Sequence, residues 1–152
     1  MRLCFDECMP PKWCRRLADL LIHRKDAPIE AVHLLDHLKP GEKDDSVVEW
    51  LASLKPHVIA VSGDTGAQSK PGEPRLDRLC PVKKVTSIFL TPRLCQRHGL
   101  EKIRMIMVCL PAIERAYRAD QGSRFRLESY DNDLYRLKPW PLPASTEQFS
   151  NK

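Results

Sequence analysis

Residues 1–13 read MRLCFDECMPPKW. An apolar run, Leu3, Cys4 and Phe5, ends in two acids, Asp6 and Glu7, and breaks at Pro10 and Pro11. A short run that is apolar at consecutive positions is apolar on both faces when extended, as a strand covered on both sides in a parallel sheet must be. The pattern returns at 57–66, HVIAVSGDTG, where Val58, Ile59, Ala60 and Val61 lead to Asp64. Two strands that each deliver a carboxylate just past their tips govern the reading of both fold and site.

Outward from the first strand, Pro10 and Pro11 suit the entry to a helix. Trp13, Leu17, Leu20 and Leu21 recur at helical spacing over residues 11–24. Residues 29–35, IEAVHLL, read as a second strand, and KPGEK as a loop. Asp44 or Asp45 opens the next helix, where an acid suits the helix dipole; Val47, Val48, Leu51 and Leu54 form its buried face, and Pro56 ends it. A third strand covers 57–62, followed by a long Gly- and Pro-rich loop over 65–81 with room for one helical turn near Leu76. VTSIFL at 85–90 is a fourth strand. Pro92 opens a helix to about residue 98, and a longer one spans about 100–119, where Pro111 should bend or split it. RFRLESY at 124–130 alternates apolar with polar, as a half-exposed or edge strand does. The domain therefore spans 1–138, and the tail, 139–152, is Pro-rich and then polar, a surface strap or a disordered end.

Strands that alternate with helices predict an α/β fold, a mostly parallel sheet with helices on both faces. Right-handed crossovers would bring every strand's carboxyl end to one edge, where ligands bind in such folds. The totals agree. The chain has 152 residues, enough for one domain with a proper core, and its 42% apolar and 30% charged residues are ordinary for a globular protein. No apolar run approaches the roughly 20 residues of a membrane span, and Asp6 and Glu7 interrupt any signal-peptide pattern, so a cytoplasmic location without membrane contact is expected. Six cysteines in apolar or helical settings read as free, buried thiols. Cys4 and Cys8 form a C-x3-C with no second pair nearby, which argues against structural zinc. Trp13, Trp50, Met105 and Met107 read as core, and the five histidines show no metal-binding spacing. A formal charge of +5 leans toward polyanionic partners.

Asp6 ends the first strand, Asp64 follows the third, and Asp44 starts the helix after the second, so the three should converge on one edge, with Glu7 and Asp45 near enough to join them. Clustered carboxylates repel until they protonate or a cation neutralises them, and oxygen ligands suit Mg²⁺ or Mn²⁺. Such a cation supports phosphodiester hydrolysis. Ser62 and Thr65 flank Asp64 and can hydrogen-bond a carboxylate, a water or a phosphate. Arg15, Arg16, Arg93, Arg97 and Lys102 lie on basic helix faces suited to RNA phosphates.

Three motifs carry a resemblance to a known family. MRLCFDECMPP resembles the opening of PIN-like domains, DDSVVEWLA their second motif, and VIAVSGD their third; order and spacing match over roughly residues 1–66. The resemblance implies a compact three-layer α/β/α PIN-like fold and a Mg²⁺- or Mn²⁺-dependent ribonuclease. Many members are toxins of toxin–antitoxin pairs, so an antitoxin partner and a homodimer are implied too. By motif, Asp6, Asp44 and Asp64 would be the metal ligands and Glu7 a further acid. The TGAQSKPGEPRLDRL segment departs from the family pattern, and Asp77 is the candidate for a fourth acid.

Two alternatives stand beside this. One is an inactive PIN-like binding module. The other is a receiver-like signalling domain, which needs an acid pair after strand one, an Asp after strand three, a Thr or Ser after strand four and a Lys after strand five. Thr91 meets the third requirement, but no Lys follows RFRLES at the right place. A haloacid-dehalogenase-type phosphatase needs Asp-x-Asp, and Cys8 stands at its second acid position.

Overall fold

The structure, a computed structural model, describes residues 1–24, 28–63, 75–119, 121–131 and 134–141. Six strands and five helices run in the order β1 (Arg2–Phe5), α1 (Pro11–Ile22), β2 (Glu30–His33), α2 (Asp44–Ser53), β3 (Val58–Ser62), α3 (Leu76–Val82), β4 (Thr86–Leu90), α4 (Pro92–Cys95), α5 (Gly99–Arg118), β5 (Arg124–Asp131) and β6 (Leu134–Pro139). They form one sheet, ordered β2-β1-β3-β4-β5-β6. β1 to β5 are parallel, and β6 runs antiparallel to β5.

The period-two geometry of the strands sorts the core into two layers. Leu3, Phe5, Ile59, Val61, Ile88 and Leu90 point to one face and pack under α1 and α5. Cys4, Val58, Ala60 and Phe89 point to the other and pack under α2 and α3. The helices meet these faces through residues at helical spacing, Cys14, Leu17 and Leu21 on α1 and Val47, Val48 and Leu51 on α2. The expected α/β fold with a mostly parallel sheet between helices is present. Among the described residues no helix is long and apolar enough to cross a membrane.

Several expectations need correction. The second strand is four residues long and ends in a 3-10 turn, Leu34–Asp36, because the side chain of His33 accepts from Leu35 N–H and turns the chain. The turn expected near Leu76 is the seven-residue α3; the rest of the long loop, 64–74, lies outside the described residues. Pro111 does not split the long helix, which runs unbroken from Gly99 to Arg118. Its buried side, including Ile103, Ile106, Cys109, Leu110 and Ile113, holds both halves against the sheet, and the exposed Pro111 sits on the solvent side. β6 was not expected as a strand; it pairs with β5 from Phe125 opposite Pro139 to Asp131 opposite Leu134. Residues 142–152 of the tail lie outside the described residues.

The largest difference concerns handedness. The steps from β2 to β3, β3 to β4 and β4 to β5 all run the same way across the sheet. α2 and α3 cover one face, yet α5 covers the other, beside α1. The β4–α5–β5 unit therefore has the opposite hand from its neighbours, against the right-handed rule. The short helix α4 stands between β4 and α5, and its Leu94 already packs into the α1/α5 core. One result is that no α5 residue covers the α2/α3 face of β5.

Five of the six cysteines are buried, and all six are free. Burial, with smaller contributions from neighbouring charges, pushes the Cys4 thiol up to about 12, and burial likewise takes Cys80 to about 12. An unfolded thiol ionises near 8.5, so between that pH and 12 the unfolded chain binds fewer protons than the folded one and stability falls as pH rises. The two thiols together should remove about 3 kcal/mol per pH unit above pH 9, at about 1.4 kcal/mol each. Urea unfolding at pH 8, 9 and 10 measures this; a Cys80→Ala variant should show a shallower alkaline decline, and an unchanged slope would refute the assignment.

Candidate functional site

β1 lies between β2 and β3, and the chain leaves it in one direction and returns on the other side. In parallel α/β sheets such a reversal opens a crevice at the strand tips. Asp6 stands at that point, one residue past β1, with its backbone N–H donating to Val61 O of β3 at 3.2 Å. A cavity of about 500 Å³ opens there, lined by Asp6, Glu7, Glu42 and Asp44 together with Lys39, Cys8, Gly63, Leu76 and Cys95. Asp6 and Asp44, 38 positions apart by number, thus line one cavity. Four acids against one lysine make it acidic, in a chain whose formal charge is +5.

Each aspartate is oriented by a backbone amide. Cys8 N–H donates to Asp6 Oδ1 at 2.7 Å, an Asx turn that folds the chain just after β1. Leu76 N–H donates to Asp44 Oδ2 at 2.8 Å and ties the first residue of α2 to the first of α3. The choice between Asp44 and Asp45 is resolved by position: Asp45 is exposed and accepts from Ser46 N–H at 2.9 Å, outside the cavity lining. Asp77 does not line the cavity either. It is buried in α3 and paired with Arg124 at 3.1 Å and Arg75 at 3.2 Å. Ser62 is buried at the end of β3. Arg15 and Arg16 are exposed on α1 and do not line the cavity. Asp64 and Thr65 lie outside the described residues.

Two residues that sequence spacing did not mark as architectural hold the Asp6–Met9 turn from behind. His33 Nδ1 accepts from Leu35 N–H at 3.1 Å, so its proton sits on Nε2, which donates to Met9 O at 2.8 Å. Lys102, read from sequence as a surface cation for RNA, is buried instead, and its ammonium donates to Cys8 O. Lys102 reaches the turn because α5 begins against α1: a Cβ on Gly99 would lie 2.1 Å from the Trp13 ring, so only glycine lets the helix start there. No single-residue signal carries either contact, since both depend on the packing of distant elements.

The cavity wall is equally tight at Gly63, where a Cβ would lie 2.6 Å from Cys95 Sγ and 2.9 Å from Cys8 Cβ. Burial pushes the Cys8 thiol up, and the Asp6 carboxylate adds to this; burial also raises Cys95. Both thiols are therefore protonated near neutral pH and poor nucleophiles, which leaves the polar chemistry of the cavity to its carboxylates. All-oxygen donors of this kind suit a hard divalent cation. Among the described residues no group of three His, Cys, Asp or Glu is placed to hold a metal ion. Asp6 and Asp44 are the described part of the set expected from sequence, and Asp64 is its remainder.

Comparison of the chain with family models, curated proteins and solved structures gives no match.

Two substitutions test this architecture. Lys102→Met leaves the buried Cys8 carbonyl without its donor and should cost about 1–3 kcal/mol in urea unfolding. Gly63→Ala should cost a similar amount, about 1–3 kcal/mol from overpacking. Cys95→Ala should recover part of the Gly63→Ala loss, and strict additivity of the two changes would refute the close contact.

Proposed function

We propose that the chain is a metal-dependent ribonuclease that hydrolyses RNA phosphodiester bonds at the acidic cavity. The observation that carries this reading is the shared lining by Asp6 and Asp44 at the point where the strand order reverses. The sequence motifs support it independently, since both aspartates occupy the positions that the PIN-like resemblance implies. Asp6, Asp44 and Asp64 would hold Mg²⁺ or Mn²⁺, with Glu7 a further acid of the site. When bound, the cation supplies an activated water and positive charge for the leaving oxygen.

The chain's own part is to orient and to exclude alternatives. The amides of Cys8 and Leu76 fix one oxygen of each aspartate. Lys102 and His33 keep the turn that carries Asp6 and Glu7 from moving. The acidic cavity would repel RNA in the absence of a cation, which makes cation and substrate binding mutually dependent. Ser62, Thr65, Arg15 and Arg16 are proposed to contact the RNA. The toxin role, an antitoxin partner and a homodimer rest on the resemblance alone.

The parallel strands follow the order 2-1-3-4-5, which is also that of flavodoxin-like folds, and Thr91 follows β4. These two features keep the receiver-like reading in play as a second one. Against it, the lysine that approaches the acid pair, Lys102, comes from α5 and not from the end of β5.

Cleavage of an end-labelled RNA pool separates the readings. The wild type should cut with Mg²⁺ or Mn²⁺ and not with EDTA. Asp6→Asn, Asp44→Asn and Asp64→Asn should each lower the rate by about 100-fold or more, as loss of a metal ligand does. Asp45→Asn, outside the cavity, should stay within about twofold. Undiminished cleavage in Asp6→Asn and Asp44→Asn would refute the site, and no cleavage with any metal would favour the binding module or the receiver.

A further inference from the structure

The reversed hand of the β4–α5–β5 unit leaves one face of the β5–β6 hairpin without a helix of its own. Phe125, Leu127, Tyr135 and Leu137 point to the α1/α5 core. By alternation, Arg124, Arg126 and Glu128 point the other way on β5, and Tyr130, at a register shift between Ser129 and Asp131, joins them through its contact with Arg136. Lys138 stands opposite Arg126 and Arg136 opposite Glu128, so both share that face, and Trp140 joins it beside Arg124, donating its N–H to Arg124 O at 2.9 Å. α3 reaches this face at Arg124 through Asp77. Further out, Tyr130 is 55% exposed, and Arg136 and Lys138 are exposed.

The side chains form a ladder of rings and cations. Arg124 lies over the Trp140 ring at 4.1 Å and Arg126 at 5.6 Å, while Arg136 lies over Tyr130 at 5.3 Å. Asp77 neutralises Arg124 and Glu128 neutralises Arg136. Among the described residues Arg126 and Lys138 have no carboxylate partner, so the face carries excess positive charge. Arg126 Nε, Arg124 Nε and Arg124 Nη1 are buried donors without a hydrogen-bond partner.

We propose that this open face of the β5–β6 hairpin binds single-stranded nucleic acid. Phosphates complement Arg126 and Lys138, and an unstacked base finds a ring face in the exposed Tyr130, while Trp140, held under Arg124 and against Phe89, closes the far end of the face; rings and cations together are what single strands use on open sheets. Tyr130 and Trp140 bracket a length of roughly 20 Å along the strands, at about 3.4 Å per residue, enough for several nucleotides. β5 is parallel to β1 and β3, so Tyr130 lies on the same sheet edge as Asp6 and Trp140 at the opposite one. A strand on this face therefore runs toward the edge that holds the acidic cavity. Binding here needs no carboxylate of that cavity, so it stands or falls separately from the ribonuclease reading.

Fluorescence anisotropy of a labelled single-stranded RNA 20-mer with the full chain, in EDTA and over a range of NaCl concentrations, tests this. The wild type should bind the single strand more tightly than a duplex of equal length. Lys138→Glu should weaken binding about tenfold or more and lower the slope of log K against log salt by about 0.7, the loss of one phosphate contact. Tyr130→Ala, a substitution at an exposed position, should weaken it about fivefold or more. Asp6→Asn with Asp44→Asn should bind at least as tightly as the wild type, whether or not that variant cuts RNA. Absence of wild-type binding at low salt, duplex bound as tightly as single strand, or full binding by both hairpin variants would overturn the proposal. So would loss of binding in Arg15→Glu with Arg16→Glu while the hairpin variants bind normally, which would place the strand on α1. Sedimentation completes the test: hairpin variants that dissociate a dimer but bind RNA normally would make this face a contact between two copies and overturn the proposal as well.

Discussion

The rest of the molecule depends on the burial of β1. It lies between two parallel neighbours and beneath helices on both sides, with Leu3 and Phe5 fully buried toward α1 and α5 and Cys4 buried toward α2 and α3. A charged side chain in the middle of such a strand is disfavoured, because burying an unpartnered polar group costs about 1–3 kcal/mol out of a stability of about 5–15 kcal/mol, and an unpaired charge costs more. Arg2 opens the strand half-buried and paired with Glu30; past the buried run Leu3–Phe5 the next polar residue is Asp6, where the strand emerges. The same constraint acts on β3, whose five residues are all buried. Asp6 sits at the tip of β1 because the fully buried run Leu3–Phe5 has no room for a charged side chain.

The turn after β1 shows how such a tip becomes rigid. It receives a side-chain contact from β2 through His33, one from α5 through Lys102, and its own Asx bond from Asp6. The first two come from elements far apart in sequence, β2 and α5, so the position of Asp6 reports how those elements pack around β1. A group held this way loses little further freedom on binding a ligand, which favours a site that must place charge accurately.

Charge is distributed unequally about this frame. The cavity at the β1/β3 tips gathers Asp6, Glu7, Glu42 and Asp44, while the far hairpin gathers Arg124, Arg126, Arg136 and Lys138. A net charge of +5 describes neither region. Both charge patterns follow from topology: the reversal at β1 opens an acidic crevice, and the placement of α5 beside α1 keeps that helix off the basic face of β5.

By itself the sequence determined the local structure and the candidate acids. Consecutive apolar residues identify β1, β3 and β4 as covered strands, helical spacing identifies α1, α2 and α5, the strand–acid junctions mark Asp6 and Asp64, and the helix start after the second strand marks Asp44. These are properties of periodicity and burial that each segment carries alone. Only the tertiary structure decided that Asp44 lines one cavity with Asp6, that Asp77 pairs with Arg124, and that Lys102 is buried against Cys8. It also decided the hand of the β4–α5–β5 unit and, with it, that no α5 residue covers the α2/α3 face of β5. The physical reason is that side-chain direction at a helix start, ion-pair choice and crossover hand all depend on which distant surfaces meet. Nothing within one segment encodes that meeting.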